Sequence, residues 1–251
     1  MSKTPNFADL GDFDVITSRP ANGTELRLDQ VAPTKHETTY QTLKRLIANG
    51  ELRTERDFLL QPLADRLEIS RNTLTRALNR LVTDELVRHS PQKGYALLIP
   101  TVAQIERRYT TAYEQICSAV ILGQGEKRQR QYGLDREEKL ALAELLPEMA
   151  PPHAVAAEIE DLLRAAIARG ADPAHRETFD AELTRLMLAR RVEHLVVPDH
   201  REEVAQLMRS FYRGQYDRFL RALEVYTAKR VRAAASIASE IQRLALSAGE
   251  A

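Results

Sequence analysis

Arg71, Asn72, Thr73 and Thr75 crowd into one polar turn directly after Ser70. Arg and Asn make bidentate hydrogen bonds to base edges, and a Thr methyl packs against thymine. The turn therefore carries the side chains of base readout in a DNA major groove. Nothing comparable for bond-making chemistry stands elsewhere in the sequence. It has no nucleophile–base set, no His-rich helix and no glycine-rich phosphate loop, which argues against an enzyme, including a metal-dependent one in the C-terminal half. A single cysteine, Cys117, excludes an internal disulfide and a cysteine zinc cluster; it sits in an apolar-leaning stretch and reads as a small core residue.

A base-reading turn needs a rigid support, and the surrounding stretch LLQPLADRLEISRNTLTRALNRLVTDELV (59–87) supplies one. It predicts two short helices around a tight turn. In the second, Leu74, Ala77, Leu78 and Leu81 share one face at about 100° per residue, while Asn72, Thr73, Arg76, Asn79 and Arg80 share the other. Ser70 is placed to cap its first turn. Thr38 to Asn49, with Tyr40, Leu43, Leu46 and Ile47 in step, predicts an earlier helix behind this pair, ended at Gly50. After it, strands over roughly 87–90 and 94–99 flank a small basic tip, Gln92-Lys93-Gly94. Helix, helix, helix and hairpin is the order of a winged helix-turn-helix.

Lys35 to Thr101 resembles the DNA-binding domain of the GntR family of bacterial transcription regulators. The resemblance rests on Leu63-Ala64, Leu67, Ile69-Ser70-Arg71, Thr73, Ala77-Leu78, Leu81, Leu86-Val87 and Gly94-Tyr95 at the family's spacing. It implies DNA contacts from Ser70, Arg71, Asn72, Thr73, Thr75 and Arg76 on the recognition helix, from Gln92, Lys93 and Gly94 on the wing, and from Lys44 and Arg45 nearby. Two positions depart from the family. Thr75 stands where an Arg often contacts DNA, and Arg76 where an acidic residue is usual, so the operator read by relatives does not carry over.

The 251 residues suffice for two domains of ordinary size. Charge cancels overall but not locally: residues 35–100 carry a net +3, against −2 for residues 1–34 and −1 for residues 101–251. A positive bias confined to the DNA-reading module suits phosphate contacts, although +3 alone is common on solvated helices. Residues 1–34 read as an extended arm, disordered or docked through Phe7, Phe13, Val15 and Ile16. No apolar run approaches the ~20 residues that span a bilayer, and the acidic N-terminus is no signal peptide; a cytoplasmic protein with no membrane partner is expected.

Beyond a linker at 95–102, every long segment of residues 101–251 reads as helix, with a basic, polar loop or helix end at 126–133. Helices are expected from 101 to about 122, 135 to 149, 154 to 169, 173 to 195, 201 to 213 and 216 to 248. The predicted fold is mainly α: a winged helix-turn-helix with a small β wing, followed by an antiparallel all-helical bundle. Behind a GntR-type head this bundle resembles the C-terminal domain of the FadR subgroup, which binds a small metabolite and dimerises. Many members of that subgroup hold a divalent metal through an Asp and three His. The matching positions here are Arg176, Asp180, Val204 and Tyr226, with His200 one turn from Val204. Arg176 puts a positive charge where the metal would sit, so no metal and no cofactor is expected. Arg176 with Tyr226 and Arg230 suits a carboxylate or other anion instead, and Asp180 and His200 complete the expected effector set; the plain alternative is an Arg176–Asp180 ion pair on a solvated face. His153, His175 and His194 read as surface or capping residues.

The function implied is a homodimeric, ligand-responsive regulator, most often a repressor in the family, on a DNA operator of two-fold symmetry. A winged helix used for protein–protein contact is the competing reading. The polar face with Arg71, Arg76, Arg80 and Lys93 favours a polyanion over it.

Overall fold

The structure is a computed structural model that describes residues 35–52, 55–123, 135–149 and 152–246. The arm expected over residues 1–34 and the loop expected over 126–133 lie outside the described residues. The N-terminal module runs α1 (Lys35–Asn49), a 3-10 turn (Glu55–Phe58), α2 (Leu60–Arg66), α3 (Arg71–Thr83), β1 (Val87–Ser90) and β2 (Gly94–Leu97). The two strands pair antiparallel, from Val87 opposite Leu97 to Ser90 opposite Gly94. Leu74, Ala77, Leu78 and Leu81 of α3 are buried against Leu43, Leu46 and Ile47 of α1, the apolar stripes that the sequence pattern had placed there. Leu52 and Phe58, in the charged loop between α1 and α2, are also buried and anchor that loop to the same core.

The bundle follows as α4 (Val102–Gly123), α5 (Asp135–Met149), α6 (Pro152–Ile167), α7 (Pro173–Arg185), α8 (Met187–Val196), α9 (His200–Tyr212), α10 (Tyr216–Arg232) and α11 (Ala234–Leu246). The linker is shorter than the sequence suggested: Tyr95 to Leu97 belong to β2, leaving 98–101 before α4. Two helices expected to be continuous are broken. The 173–195 helix kinks at Leu186 and the 216–248 helix at Ala233, giving eight helices in the described part of the bundle instead of six or seven. Both breaks are single residues with ψ near zero, and the hydrogen-bond ladder continues around them: Leu186 N–H donates to Glu182 O, and Arg190 N–H to Leu186 O. Neither Gly nor Pro is involved, so the pattern carries no signal for the bends. Packing supplies the cause, since α10 lies along α4 and α9 whereas α11 turns onto α8.

The head rests on α7 and α8 through polar contacts. Lys44 Nζ donates to Thr184 Oγ1 at 2.8 Å, and Arg191 donates to the carbonyls of Ile47 and Asn49 at 3.5 and 3.2 Å. The latter are among the last carbonyls of α1, which lack partners within the helix. Gly50 makes this approach possible: it has φ +73°, and a Cβ there would lie 1.9 Å from an Arg191 nitrogen. Arg108 of α4, buried to 4 %, joins Glu85 at 2.6 Å to the carbonyl of Arg185 at 2.9 Å. Glu85, the left-handed residue that ends the α3 turn, also faces Arg185 Nε at 3.4 Å.

Candidate nucleic-acid interface and buried polar cluster

The recognition helix begins as its sequence dictates. Ser70 has extended backbone, and its Oγ accepts from Thr73 N–H at 3.2 Å while lying 2.8 Å from Thr73 Oγ1. The cap fixes where the first turn starts, and hence the direction of the side chains that follow. Arg71, Asn72 and Arg76 are exposed and Thr73 and Thr75 half-buried, on the face opposite the core. Gln92, Lys93 and Gly94 are exposed at the wing tip, and Gly94 takes the φ of +74° that the hairpin turn requires. Tyr95 OH donates to Asn79 Oδ1 at 2.7 Å, locking the wing to α3. The strands are therefore held in register with α3.

The other cations of this face are engaged to different degrees. Arg80 lies 3.8 Å over the Tyr40 ring and pairs with Glu37, while Tyr40 OH donates to Asp84 at 2.5 Å. Arg80 and Asn79 thus hold the module together, although they share the polar face of Asn72, Thr73 and Arg76. Arg76 Nη1 sits 3.3 Å from His36 Nε2, a contact weak enough to leave the guanidinium available. Lys44 and Arg45 part company. Arg45 is exposed, whereas Lys44 turns to Thr184, and burial pulls its ammonium below the ordinary lysine pKa.

In the bundle, three of the five residues expected to meet an effector converge and two do not. Arg230, fully buried, donates from Nε to Glu193 Oε2 at 3.0 Å, from Nη1 to Glu203, and from Nη2 towards His200 Nδ1 at 2.8 Å. Its guanidinium lies 3.4 Å over the Tyr226 ring, and Tyr226 OH donates to Glu193 at 3.1 Å. Tyr109 of α4 donates to the other oxygen of Glu193. Arg176 instead donates to the carbonyls of Ala171 and Ala168 at 2.9 and 3.1 Å, closing the α6–α7 turn. Asp180 is exposed and accepts from Arg164 at 2.9 Å. The spacing of Arg176 and Asp180 suited an i, i+4 pair, but each finds a partner on the preceding helix or turn. His175 lies beside its N-capping Asp172 and His194 in the last turn of α8, as surface and capping roles require; the side chain of His153 lies outside the described residues.

Glu193 is the centre of this cluster. Burial alone would raise its carboxyl pKa, but the Arg230 guanidinium, the Tyr109 hydroxyl and Arg190 hold it below the ordinary carboxylate range. The His200 pKa is lowered too: burial disfavours its cation, only partly offset by Glu193, so the neutral ring is favoured near pH 7. Nδ1 then accepts from Arg230, which is why its 3.2 Å approach to Glu193 is not a charged pair. A divalent ion does not fit this arrangement. Val204 offers no donor, the Arg230 cation stacks on Tyr226, and no described group of three His, Cys, Asp or Glu could hold a metal.

Glu193, Glu203, Arg190 and Tyr109 were not singled out by the sequence reasoning. A signal existed for two of them. Leu186, Ala189, Arg190, Glu193 and Val197 recur at helical spacing along α8 and its two flanking residues, and charges at two steps of an apolar stripe are buried unless the stripe is not a core face. Arg190 is 3 % exposed, and its Nε and Nη1 have no hydrogen-bond partner among the described residues; Glu160 is nearest, at 3.5 Å.

A winged helix-turn-helix joined to a helical bundle is the class that this geometry defines. Residues 35–97 match the model of the family "Bacterial regulatory proteins, gntR family". That segment spans α1 to β2, the winged-helix module of this chain. Solved structures share the fold of most of the chain. A candidate transcriptional regulator GntR from Rhodococcus sp. RHA1 is 19% identical with a TM-score of 0.62, over 81% of this chain and 97% of that one. McbR/YncC of E. coli is 16% identical with a TM-score of 0.63, over 81% and 98%. The Lar protein, which controls expression of the Listeria monocytogenes agr system, is 13% identical with a TM-score of 0.52, over 86% and 99%. None of the curated proteins matches the chain. No helix among the described residues is long and apolar enough to cross a membrane.

Proposed function

We propose that the protein is a homodimeric, FadR-like transcription regulator of the cytoplasm, a repressor whose operator affinity is changed by a small anionic metabolite bound in the helical bundle. The observation that carries the DNA reading is the Ser70-capped first turn of α3, with Arg71 and Asn72 exposed beside a wing fixed by Tyr95 and Asn79. Arg71, Asn72, Thr73 and Thr75 read base edges, and Arg76, Arg45, Gln92, Lys93 and the Gly94 turn follow the phosphates. Lys44 serves the head–bundle contact instead.

In the effector half of the proposal, α8 is the connection. It carries Arg190 and Glu193 on the inner side and Arg191, which caps α1, on the outer side. Tyr226, His200 and Arg230 line the same interior, and Arg190 supplies the donors for a ligand carboxylate. Arg176 and Asp180 keep a supporting role at the α6–α7 turn. A ligand that repositions α8 moves the head, and two half-sites on a symmetric operator must match the separation of two heads.

The test is footprinting of the purified full chain on DNA from upstream of its own gene, against a scrambled control at two salt concentrations. Protection of a two-fold repeat supports the proposal. Equal, steeply salt-dependent binding to both DNAs reduces it to phosphate contacts alone. No binding would transfer the head to a protein-contact role.

A further inference from the structure

A groove of about 550 Å³ runs between α9 and α10 on the outside of the bundle, and its lining is strongly basic. Arg209, Arg213, Arg218, Arg221 and Lys229 line it, against the single carboxylate of Glu203. Arg209 and Arg213 are partly neutralised by Glu144 and Glu202. Arg218 and Arg221 are not. Both are exposed, one turn apart on α10; Arg218 bonds only the Gln215 amide, at 3.3 Å, and Arg221 has no hydrogen bond or ion pair among the described residues. Two unneutralised guanidinium groups in one concavity offer their donors together to a bound oxyanion.

The floor of the groove independently reports what it binds. Glu203 is mostly buried, and its two oxygens bridge Lys229, at 2.5 Å, and Arg230. This is an oxyanion already seated between two cations, supplied by the protein. The Arg218 end and the Lys229 end are 11 residues apart on α10, about 16 Å, so the groove can engage more than one anionic group.

Operator DNA is not the occupant. Arg169 bonds both Tyr216 OH and the carbonyl of Gly123, placing the first turn of α10 beside the last turn of α4. The head docks at Arg108 near the other end of α4, about 22 Å away along the helix. The Arg218–Arg221 end therefore lies at the end of α4 remote from the head contact.

We infer that the α9–α10 groove is a binding site for a small multivalent anion, a phosphorylated or polycarboxylate metabolite, held at Arg218, Arg221 and Lys229 with Glu203 as its exchangeable internal substitute. An anion that takes Lys229 leaves Glu203 to Arg230 alone, and so reaches the buried Glu193 cluster from outside. The site stands on α9 and α10 alone and does not depend on the reading of the head.

The experiment is calorimetric and thermal-shift titration of the full chain, without DNA, with sodium tripolyphosphate and separately with citrate, at ionic strength held constant with chloride. Saturable binding of either probe is expected, and which of the two binds tighter assigns the phosphate or the carboxylate class. The double variant Arg218→Ala/Arg221→Ala should weaken binding at least tenfold while keeping the melting temperature of the unliganded protein, since both side chains are exposed. Glu203→Gln should tighten binding severalfold by removing the competing carboxylate. If that variant misfolds, the double arginine variant still decides. No saturation beyond the chloride control, or unchanged affinity in the double variant, overturns the site.

Discussion

The first turn of α3 and the interior of the bundle both gather arginines, yet they treat them in opposite ways. On α3, Arg71 is exposed and Arg76 is tied only by a long contact to His36. In the bundle, Arg230 is fully buried and saturated by Glu193, Glu203, His200 and the Tyr226 ring. The first arrangement leaves donors for something outside the molecule, and the second has consumed them. A cation left in solvent costs little and is free to bind, whereas one taken out of water must be paired on the spot. Exposure of the partnerless donor, more than the presence of arginine, marks an interface.

Breaking the buried side of this contrast should have the largest effect. Glu193→Ala leaves Arg230 to Glu203 alone and removes the acceptor of Tyr109 and Tyr226, and a loss of roughly 3–5 kcal/mol is expected for breaking a buried ion pair, measured by chemical denaturation. Ser70→Ala removes the α3 cap and should cost about 0.5–2 kcal/mol of stability, with DNA affinity falling further than stability because the first turn frays; equal, small losses in both would detach the cap from the reading turn.

The pH dependence follows from two groups of the same cluster. His200 titrates below its ordinary 6.5 when folded, so the unfolded chain binds more protons, and stability falls as pH drops below about 6.5. Glu193 titrates below 4.5 when folded, and its contribution is present above that value and lost on further acidification. Thermal melts from pH 7.5 to 4 should therefore show two losses of the same sign. His200→Gln should flatten the upper one, and an unchanged profile would place that titration elsewhere. The smallest effect is expected at the wing: Lys93→Ala should weaken binding to all DNA sequences alike and reduce the salt slope by about one.

The head was largely legible in the sequence because its constraints are local. The period of Leu74, Ala77, Leu78 and Leu81, the cap at Ser70 and the break at Gly50 each act within a turn or two, and the helices and hairpin fall where these residues put them. The bundle was legible in kind but not in detail. The bends at Leu186 and Ala233 come from packing against α8, α9 and α4, which single-helix periodicity does not contain. The candidate site divided along the same line. Counting along one helix brought out Tyr226 and Arg230, while Arg176 and Asp180 were drawn to the α6–α7 turn and to Arg164. Glu193, which organises the cluster, showed only as a charge out of place on an apolar stripe.

The most direct test of the account is the affinity of Arg71→Ala for the footprinted operator and for scrambled DNA at one salt concentration. The recognition-helix reading predicts that operator affinity falls by about 1–3 kcal/mol, roughly five- to 150-fold, while scrambled DNA is bound almost as before. Equal affinity of variant and parent for the operator would contradict it.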